Sequence, residues 1–259
     1  MLVDTHAHIH FEDYKDDLDV IFANAVANDT GTIVCVGIDE EDSHRALDFV
    51  TDELVLKKSH GVKLAATVGL HPHEAKRGQA ALEAITFLAK IGEPIAIGGC
   101  GLDYYRNLSS RDEQIIALKY QIELAQELNL PLVFHVRDAW DDFFTTLARY
   151  EGIRGVVHSF TGGVKEVEQA SAMGLYFGLN GIMTFTKEEL QLDAARLVPS
   201  DRLLLETHCP FLSPAPLRGK RNEPANVAVV ARFLADLRGE QYSDLVKQTR
   251  DNYEHLFAA

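Results

Sequence analysis

Eight short apolar segments recur along the chain, separated by longer amphipathic segments, and this alternation constrains the fold more than any other feature. The apolar segments are rich in valine, isoleucine and leucine and nearly continuous in apolar character, which is typical of parallel strands buried on both faces. We predict strands at residues 1–5, 32–37, 63–70, 94–99, 131–135, 154–159, 175–180 and 202–207.

The segment 109–129 is the clearest of the amphipathic stretches. Ser110 and Glu113 form a capping-box signature at its start, and apolar residues follow at helical spacing. Similar helical patterns, the last of them predicting an extra C-terminal helix, occupy residues 163–173, 224–238 and 241–258.

Eight strand–helix units in 259 residues match the size of a (β/α)8 TIM barrel. We therefore predict an α/β fold of this type as one domain spanning residues 1–259. A doubly wound open sheet is the alternative, but it usually has fewer strands and binds its ligands at one switch point. The sequence contains no linker, low-complexity tract or repeat that would divide it.

Eight of the eleven histidines lie at the ends of short apolar runs. The carboxyl ends of the strands meet at one mouth of a parallel barrel, so side chains placed there converge. Neutral imidazole binds zinc, iron and nickel, which makes a metallohydrolase site the leading interpretation. The alternative is that neighbours satisfy each histidine separately. The eight are His6, His8, His10, His71, His73, His135, His158 and His208.

The net charge of −14 argues against broad, non-specific nucleic-acid binding, which needs a basic face, although a local basic patch is compatible with it. Cys35, Cys100 and Cys209 lie in strand-like runs without CxxC spacing, so we expect reduced thiols and a cytoplasmic location. We expect no signal peptide and no membrane segment, because no apolar run approaches the ~20 residues of a span.

Seven motifs stand in a fixed order: DTHAHIHF, TVGLHPHEA, IGGCGLDYYR, LVFHVRDA, GVVHSFTGG, LLLETHCPFLSP and RGKRNEPANV. By their order and spacing the chain resembles the TatD-like deoxyribonucleases of the amidohydrolase superfamily, from residue 2 to the terminal NYEHLF. The resemblance implies a barrel that hydrolyses DNA phosphodiesters, often from the 3′ end, with two divalent ions at its mouth. It also implies metal ligands at His6, His8, His135 and His158.

Two positions depart from the family pattern. The fourth-strand motif Gly-Glu-x-Gly-Leu-Asp has Gly99 in place of the glutamate that bridges both metals in the family. The eighth-strand motif Thr-Asp-x-Pro has His208 in place of the aspartate that binds metal and activates the attacking water.

These departures predict an altered metal content. Two dications ~3.5–4 Å apart repel each other by on the order of 16 kcal/mol at an effective dielectric of ~20, and carboxylates normally offset this. With two carboxylates missing, we expect one tightly bound divalent ion (Zn, Fe, Mn or Mg) and a second that is weak or absent. Glu206 shares a strand face with His208 but lies one layer deeper, so we expect it to be a poor substitute.

His208 has three interpretations: a fifth imidazole ligand, a free general base with a pKa near ~6.5, or a disabling substitution. His71 is the second catalytic candidate, because its loop lines the site in the family. His73 shares its strand-end face and is a candidate for substrate contact. For both residues the alternative is an ordinary pocket wall.

Two further segments are candidates for binding substrate. Tyr105 and Arg106 follow the fourth strand, where a tyrosine can stack on a base and an arginine can bind a phosphate bidentately. Arg218, Lys220 and Arg221 form a compact basic loop suited to backbone phosphates. The alternatives are a surface salt bridge and a solvated loop.

Three functional hypotheses follow. The first is a monomeric, metal-dependent phosphodiesterase acting on DNA, on single strands or 3′ ends, of the 3′–5′ exonuclease type. The second is a hydrolase of small amides, lactones or esters. The third is a catalytically impaired paralogue that binds metal or nucleic acid without turnover, and the substitutions at Gly99 and His208 favour it.

Overall fold

The computed structural model describes residues 1–257 and contains one sheet of eight parallel strands, each paired with the next along the chain. The strands are β1 Leu2–Ala7, β2 Thr30–Val36, β3 Lys63–Val68, β4 Ala96–Asp103, β5 Leu132–Arg137, β6 Gly155–His158, β7 Tyr176–Leu179 and β8 Leu203–Leu205.

Helices alternate with the strands and cover the outside of the sheet. They are α1 Leu18–Ala27, α2 Glu40–Thr51, α3 Glu53–Lys58, α4 Gly78–Ile91, α5 Arg111–Glu127, α6 Trp140–Leu147, α7 Val164–Ala172, α8 Glu189–Leu197, α9 Val227–Arg238 and α10 Tyr242–Phe257. The predicted (β/α)8 barrel with an extra C-terminal helix is confirmed. The predicted capping box is present, since the Ser110 side chain accepts from the Glu113 amide and the Glu113 carboxylate accepts from the Ser110 amide.

Polar groups near the carboxyl end of β8 close the barrel against β1. The buried Asp4 carboxylate accepts a hydrogen bond from the Thr207 amide at 2.8 Å. Just beyond, the His208 amide donates to the His6 carbonyl at 2.8 Å. This closure brings the histidines of β1 beside His208 at the mouth of the barrel.

The opposite end of the barrel is covered by α10. Leu256 and Phe257 pack in a cluster with residues from the amino-terminal parts of five strands, namely Ala96, Val133, Val156, Tyr176 and Leu204. Access to the interior is therefore from the carboxyl-terminal mouth, where the histidines lie.

Two smaller expectations can be compared with the structure. Within residues 1–257, no helix combines the length and the apolar character that crossing a membrane would require. All three cysteines are buried and free, as expected for reduced thiols.

Candidate metal centre

Seven histidines converge on one cavity of about 420 Å³ at the mouth of the barrel. They are His6, His8, His71, His73, His135, His158 and His208. His10, the eighth strand-end histidine, does not line the cavity, because its Nε2 lies 3.2 Å from both carboxylate oxygens of the buried Asp42. The buried Nδ1 of His10 has no hydrogen-bond partner among residues 1–257, so Asp42 engages only one side of this ring.

Three imidazoles form a stack at the centre of the cavity. The His6 ring lies 3.9 Å from that of His158 and 4.8 Å from that of His208, with planes within 19° of parallel. The potential ligand atoms of His6, His8 and His208 all lie within 4.8 Å of one another. Such crowding of lone pairs is unfavourable unless a donor or a cation lies between them.

Burial keeps these rings neutral. Removal from water lowers the pKa of each well below the ordinary 6.5, and repulsion from neighbouring imidazolium charges adds to the effect. Neutral imidazole is the form that binds metal. For His208, the interpretation as a base with a pKa near 6.5 is wrong, and the environment favours the ligand. The rings so affected are His6, His8, His71, His158 and His208.

Hydrogen bonds identify the free nitrogens of two rings. His8 Nδ1 lies 2.9 Å from the Val36 carbonyl, which can only accept, so Nδ1 carries the proton and Nε2 has the lone pair. His135 Nε2 lies 3.0 Å from the Asp103 carboxylate, so its lone pair is on Nδ1. That Nδ1 is 3.2 Å from His158 Nε2, close to the ~3.3 Å expected for two imidazole nitrogens around one tetrahedral cation with bonds of ~2.0–2.1 Å.

Buried nitrogen atoms that lack a hydrogen-bond partner indicate whether these residues fit a cation. Among residues 1–257, the buried Nδ1 atoms of His6, His158 and His208 have no hydrogen-bond partner. Buried polar atoms in native proteins are nearly always paired, so each exception needs an explanation. The donor set of neutral imidazoles, with potential ligand atoms within 4.8 Å of one another, fits a divalent transition-metal ion.

Sequence reasoning missed Asp103, which organises the other side of the cavity. Its buried carboxylate oxygen accepts from His73 Nε2 at 2.8 Å and from His135 Nε2 at 3.0 Å. Burial alone would raise the pKa of this carboxyl, but the hydrogen bonds from His135 and His73 outweigh it and hold the pKa well below its usual range. The GLDYYR motif contained the signal, since Asp103 is the last residue of β4 and so lies at the end of the barrel where the histidines lie.

Glu206, which we expected to be a poor substitute for the missing carboxylates, is held by hydrogen bonds beside His158. Its Oε1 accepts from the Ser159 amide at 2.6 Å and from Asn180 Nδ2 at 3.0 Å. The same oxygen is 3.8 Å from His158 Nδ1. Burial raises the pKa of Glu206 to about 8.

The absence of a side chain at Gly99 leaves space beside the histidines. A Cβ built there would lie 3.7 Å from Val36 Cγ1 and 3.9 Å from His71 Cδ2, which are ordinary contacts. A β-carbon is therefore accommodated at this position.

The candidates for substrate binding differ in their placement. Arg106 lines the cavity together with Arg137, and His71 and His73 form its wall. Tyr105 does not line the cavity but lies beside it, with the Arg137 guanidinium 3.7 Å from the centre of its ring.

The basic loop, with Arg218, Lys220 and Arg221, lies outside the cavity, and two of its side chains contact other parts of the protein. The Arg218 guanidinium lies 3.7 Å from the centre of the Phe185 ring. Arg221 forms an ion pair with Asp17, and Lys220 is exposed. The three cations thus differ in how free they are to contact a ligand.

Comparison with known proteins identifies the family of this chain. Residues 3–258 match the family described as TatD related DNase. The chain belongs to this family. It is 36% identical over 260 residues to the uncharacterized metal-dependent hydrolase YabD of Bacillus subtilis, covering 99% of both chains. It is 34% identical over 264 residues to the 3′-5′ ssDNA/RNA exonuclease TatD of Escherichia fergusonii, covering 99% of this chain and 98% of the relative.

The solved structures agree. YJJV, a TatD homologue from Escherichia coli K12, superposes with a TM-score of 0.90 at 26% identity, covering 100% of this chain and 98% of the other. The comparisons confirm the predicted TatD family, the TIM barrel and the class of protein, a hydrolase. The metal dependence named for YabD agrees with a divalent metal as cofactor.

Proposed function

We propose that this TatD-family chain is a metal-dependent phosphodiesterase that removes nucleotides from the 3′ end of single-stranded DNA. One observation carries the proposal: five histidines at the positions matched to the family site converge at the mouth of the barrel, and three of them have a buried Nδ1 without a partner in the described chain. The five are His6, His8, His135, His158 and His208. The activity named for the TatD relative of Escherichia fergusonii supports the choice of substrate.

The donor set favours zinc or iron over magnesium, because imidazole nitrogens suit borderline transition metals and magnesium prefers oxygen ligands. We propose one tightly bound ion, with a second weak or absent, because Gly99 supplies no bridging carboxylate. When bound, such an ion polarises a phosphodiester and lowers the pKa of a bound water toward ~7.

The residues of the wall position the substrate. His71 Nδ1 accepts from the His73 amide at 3.2 Å, so the neutral ring carries its proton on Nε2 and donates rather than accepts. We assign His71 as a donor to a phosphate oxygen, with Arg106 beside it in the cavity. Phe211, 53% exposed at the mouth, provides a face for a terminal base.

The outer contacts follow from the same placement. In this proposal His73 borders the scissile end, and Tyr105, held against Arg137, extends the stacking surface. Lys220 contacts a phosphate further along the strand, with Arg218 and Arg221 shaping the loop that presents it. The enzyme acts as a monomer.

The test is digestion of a 5′-labelled single strand by the chain loaded with zinc, iron(II), manganese or magnesium. We expect a ladder shortened from the 3′ end, strongest with zinc or iron. His6→Ala should abolish it, whereas His44→Ala, which alters a histidine 61% exposed on α2, should not. Equal activity of the two variants would contradict the assignment of the site.

A second candidate is hydrolysis of a small ester or amide. The enclosed volume of about 420 Å³ and the net charge of −14 favour a small substrate over a long anionic polymer. Turnover of p-nitrophenyl esters without any shortening of DNA would select this candidate.

A further inference from the structure

Glu206 has one carboxylate oxygen that the fold leaves unused. The residue follows β8 and is completely buried. Its Oε1 is satisfied by the Ser159 amide and by Asn180, but its Oε2 has no hydrogen-bond partner among residues 1–257. A buried, half-satisfied carboxylate is unfavourable unless a further charge or donor reaches it.

Glu206 belongs to a group whose other two members also have an unpartnered buried atom. His6, His158 and Glu206 bring one potential ligand atom each within 4.8 Å of one another. Both histidines have a buried Nδ1 without a partner in the described chain. Ligand atoms that share a cation with bonds of ~2.1 Å are separated by ~3–4 Å, so small side-chain shifts bring these three into range.

The neighbouring strand leaves space for the carboxylate. A Cβ built on Gly178 of β7 would lie 2.3 Å from Glu206 Oε2 and 2.9 Å from its Cδ. Any side chain at position 178 would therefore displace the carboxylate, and the glycine keeps it beside His158.

Hydrogen bonding distinguishes Glu206 from Asp103, a carboxylate that lines the cavity. Asp103 is engaged by His73, by His135 and by the Arg106 amide. Glu206 is grouped with His6 and His158, whose Nδ1 atoms have no partner in the described chain, in a site where glycine and histidine replace both family carboxylates at positions 99 and 208.

We propose that Glu206 is a metal ligand, binding the cation through its free oxygen together with His6 and His158, so that it supplies the carboxylate that positions 99 and 208 lack. The cation then lies one layer deeper in the barrel than a site formed by His8 and His208. This inference rests on the proposed metal-dependent function and specifies its ligand set.

The variant Glu206→Gln isolates the proposed role. Glutamine keeps an oxygen at Oε1 to accept from Ser159 and Asn180, and it replaces only the unused oxygen and the charge. The matched control is Glu74→Gln, because Glu74 lines the same cavity but belongs to none of the candidate ligand groups. It measures the effect of removing any negative charge from the cavity.

The readout is binding of cobalt(II), followed by calorimetry and by its visible absorption. We expect Glu206→Gln to raise the Kd for cobalt by more than the ~10–100-fold typical of outer-shell partners, and to change the absorption bands. Glu74→Gln should stay within about 3-fold of the parent chain. Equal Kd values and spectra for the two variants would overturn the proposal.

A compensating change adds a second test. In a His208→Asp background, where a carboxylate is restored nearby, Glu206→Gln should raise the Kd by a smaller factor than in the parent chain. An equal factor in both backgrounds would count against the proposal.

A measurement on the parent chain covers the case in which Glu206→Gln does not fold. With 13C-labelled glutamate, the infrared carboxylate bands should shift when cobalt binds to the parent chain and to Glu74→Gln. No shift in either would overturn the assignment. If the parent chain binds no divalent cation at all, the proposed function fails as well; normal binding with an unaffected Glu206→Gln refutes the role of Glu206 alone.

Discussion

The two halves of the cavity differ in whether their buried polar groups have hydrogen-bond partners. On the half formed by β3, β4 and β5, Asp103 accepts hydrogen bonds from His73 and His135, and His71 accepts from a backbone amide. On the half formed by β1, β6 and β8, the described residues leave four buried atoms unpaired, on His6, His158, Glu206 and His208.

This difference indicates which half is complete without a ligand. A satisfied network holds its rings in one orientation and one tautomer, as a wall that positions a substrate requires. Buried polar atoms without partners have lost their hydrogen bonds to water, and this costs free energy. A cation bound to those atoms offsets the cost. We therefore propose that the β1–β6–β8 half binds the metal and that the β3–β4–β5 half binds the substrate, with His135 joining the two.

The largest expected effect comes from removing one histidine from each half. His158→Ala should weaken zinc binding by more than ~100-fold, beyond the range for outer-shell partners, while His73→Ala should weaken it by less than ~10-fold. His73→Ala should instead raise KM for the oligonucleotide. Competition with a chromophoric chelator measures the first quantity. Similar zinc affinities for the two variants would remove the distinction between the halves.

The next effect tests whether the missing carboxylates limit catalysis. Gly99→Glu combined with His208→Asp should raise nuclease turnover by on the order of 10²-fold, a typical contribution of a well-placed acid–base group. Position 99 has room, since the nearest atoms to a Cβ lie at 3.7 and 3.9 Å. Elemental analysis after dialysis should show a second retained ion. Unchanged turnover and metal content would mean that other features limit the site.

A smaller effect is expected at the junction of the halves. Asp103→Asn keeps the shape but removes the charge that fixes the Nε2 proton of His135. Zinc affinity should fall by ~10-fold, the lower end for partners that orient a ligand. The control is Asp142→Asn, whose carboxylate accepts from Tyr104 at 2.7 Å outside the cavity. If both variants bind zinc equally, Asp103 does not orient a ligand.

The sequence predicted the barrel and the convergence of histidines well, because both follow from local periodicity. An apolar run such as residues 154–159 predicts a strand, and the position of that strand in the barrel determines where the His158 side chain lies. The sequence did not predict the hydrogen bonds of Asp103 and Glu206, or the engagement of His10 by Asp42. Those depend on which way a side chain turns across neighbouring strands, and residues 159 and 206, which share a hydrogen bond, are far apart in the chain.

The smallest expected effect concerns the basic loop, where the structure divides cations that the sequence presents as one patch. Arg221 is neutralised by Asp17 and lies over the Tyr14 ring, so contacting a phosphate would require breaking that pair. Lys220 is exposed, so it can neutralise a phosphate at no such loss. Each such contact contributes about −0.7 to the log–log salt dependence of single-strand binding. Lys220→Ala should therefore reduce the slope by about 0.7, and Arg221→Ala should leave it nearly unchanged, as measured by fluorescence anisotropy of a labelled oligonucleotide at several salt concentrations. The same slope for Lys220→Ala and the parent chain would mean that the loop makes no phosphate contact, and that the strand is held only by the arginines inside the cavity.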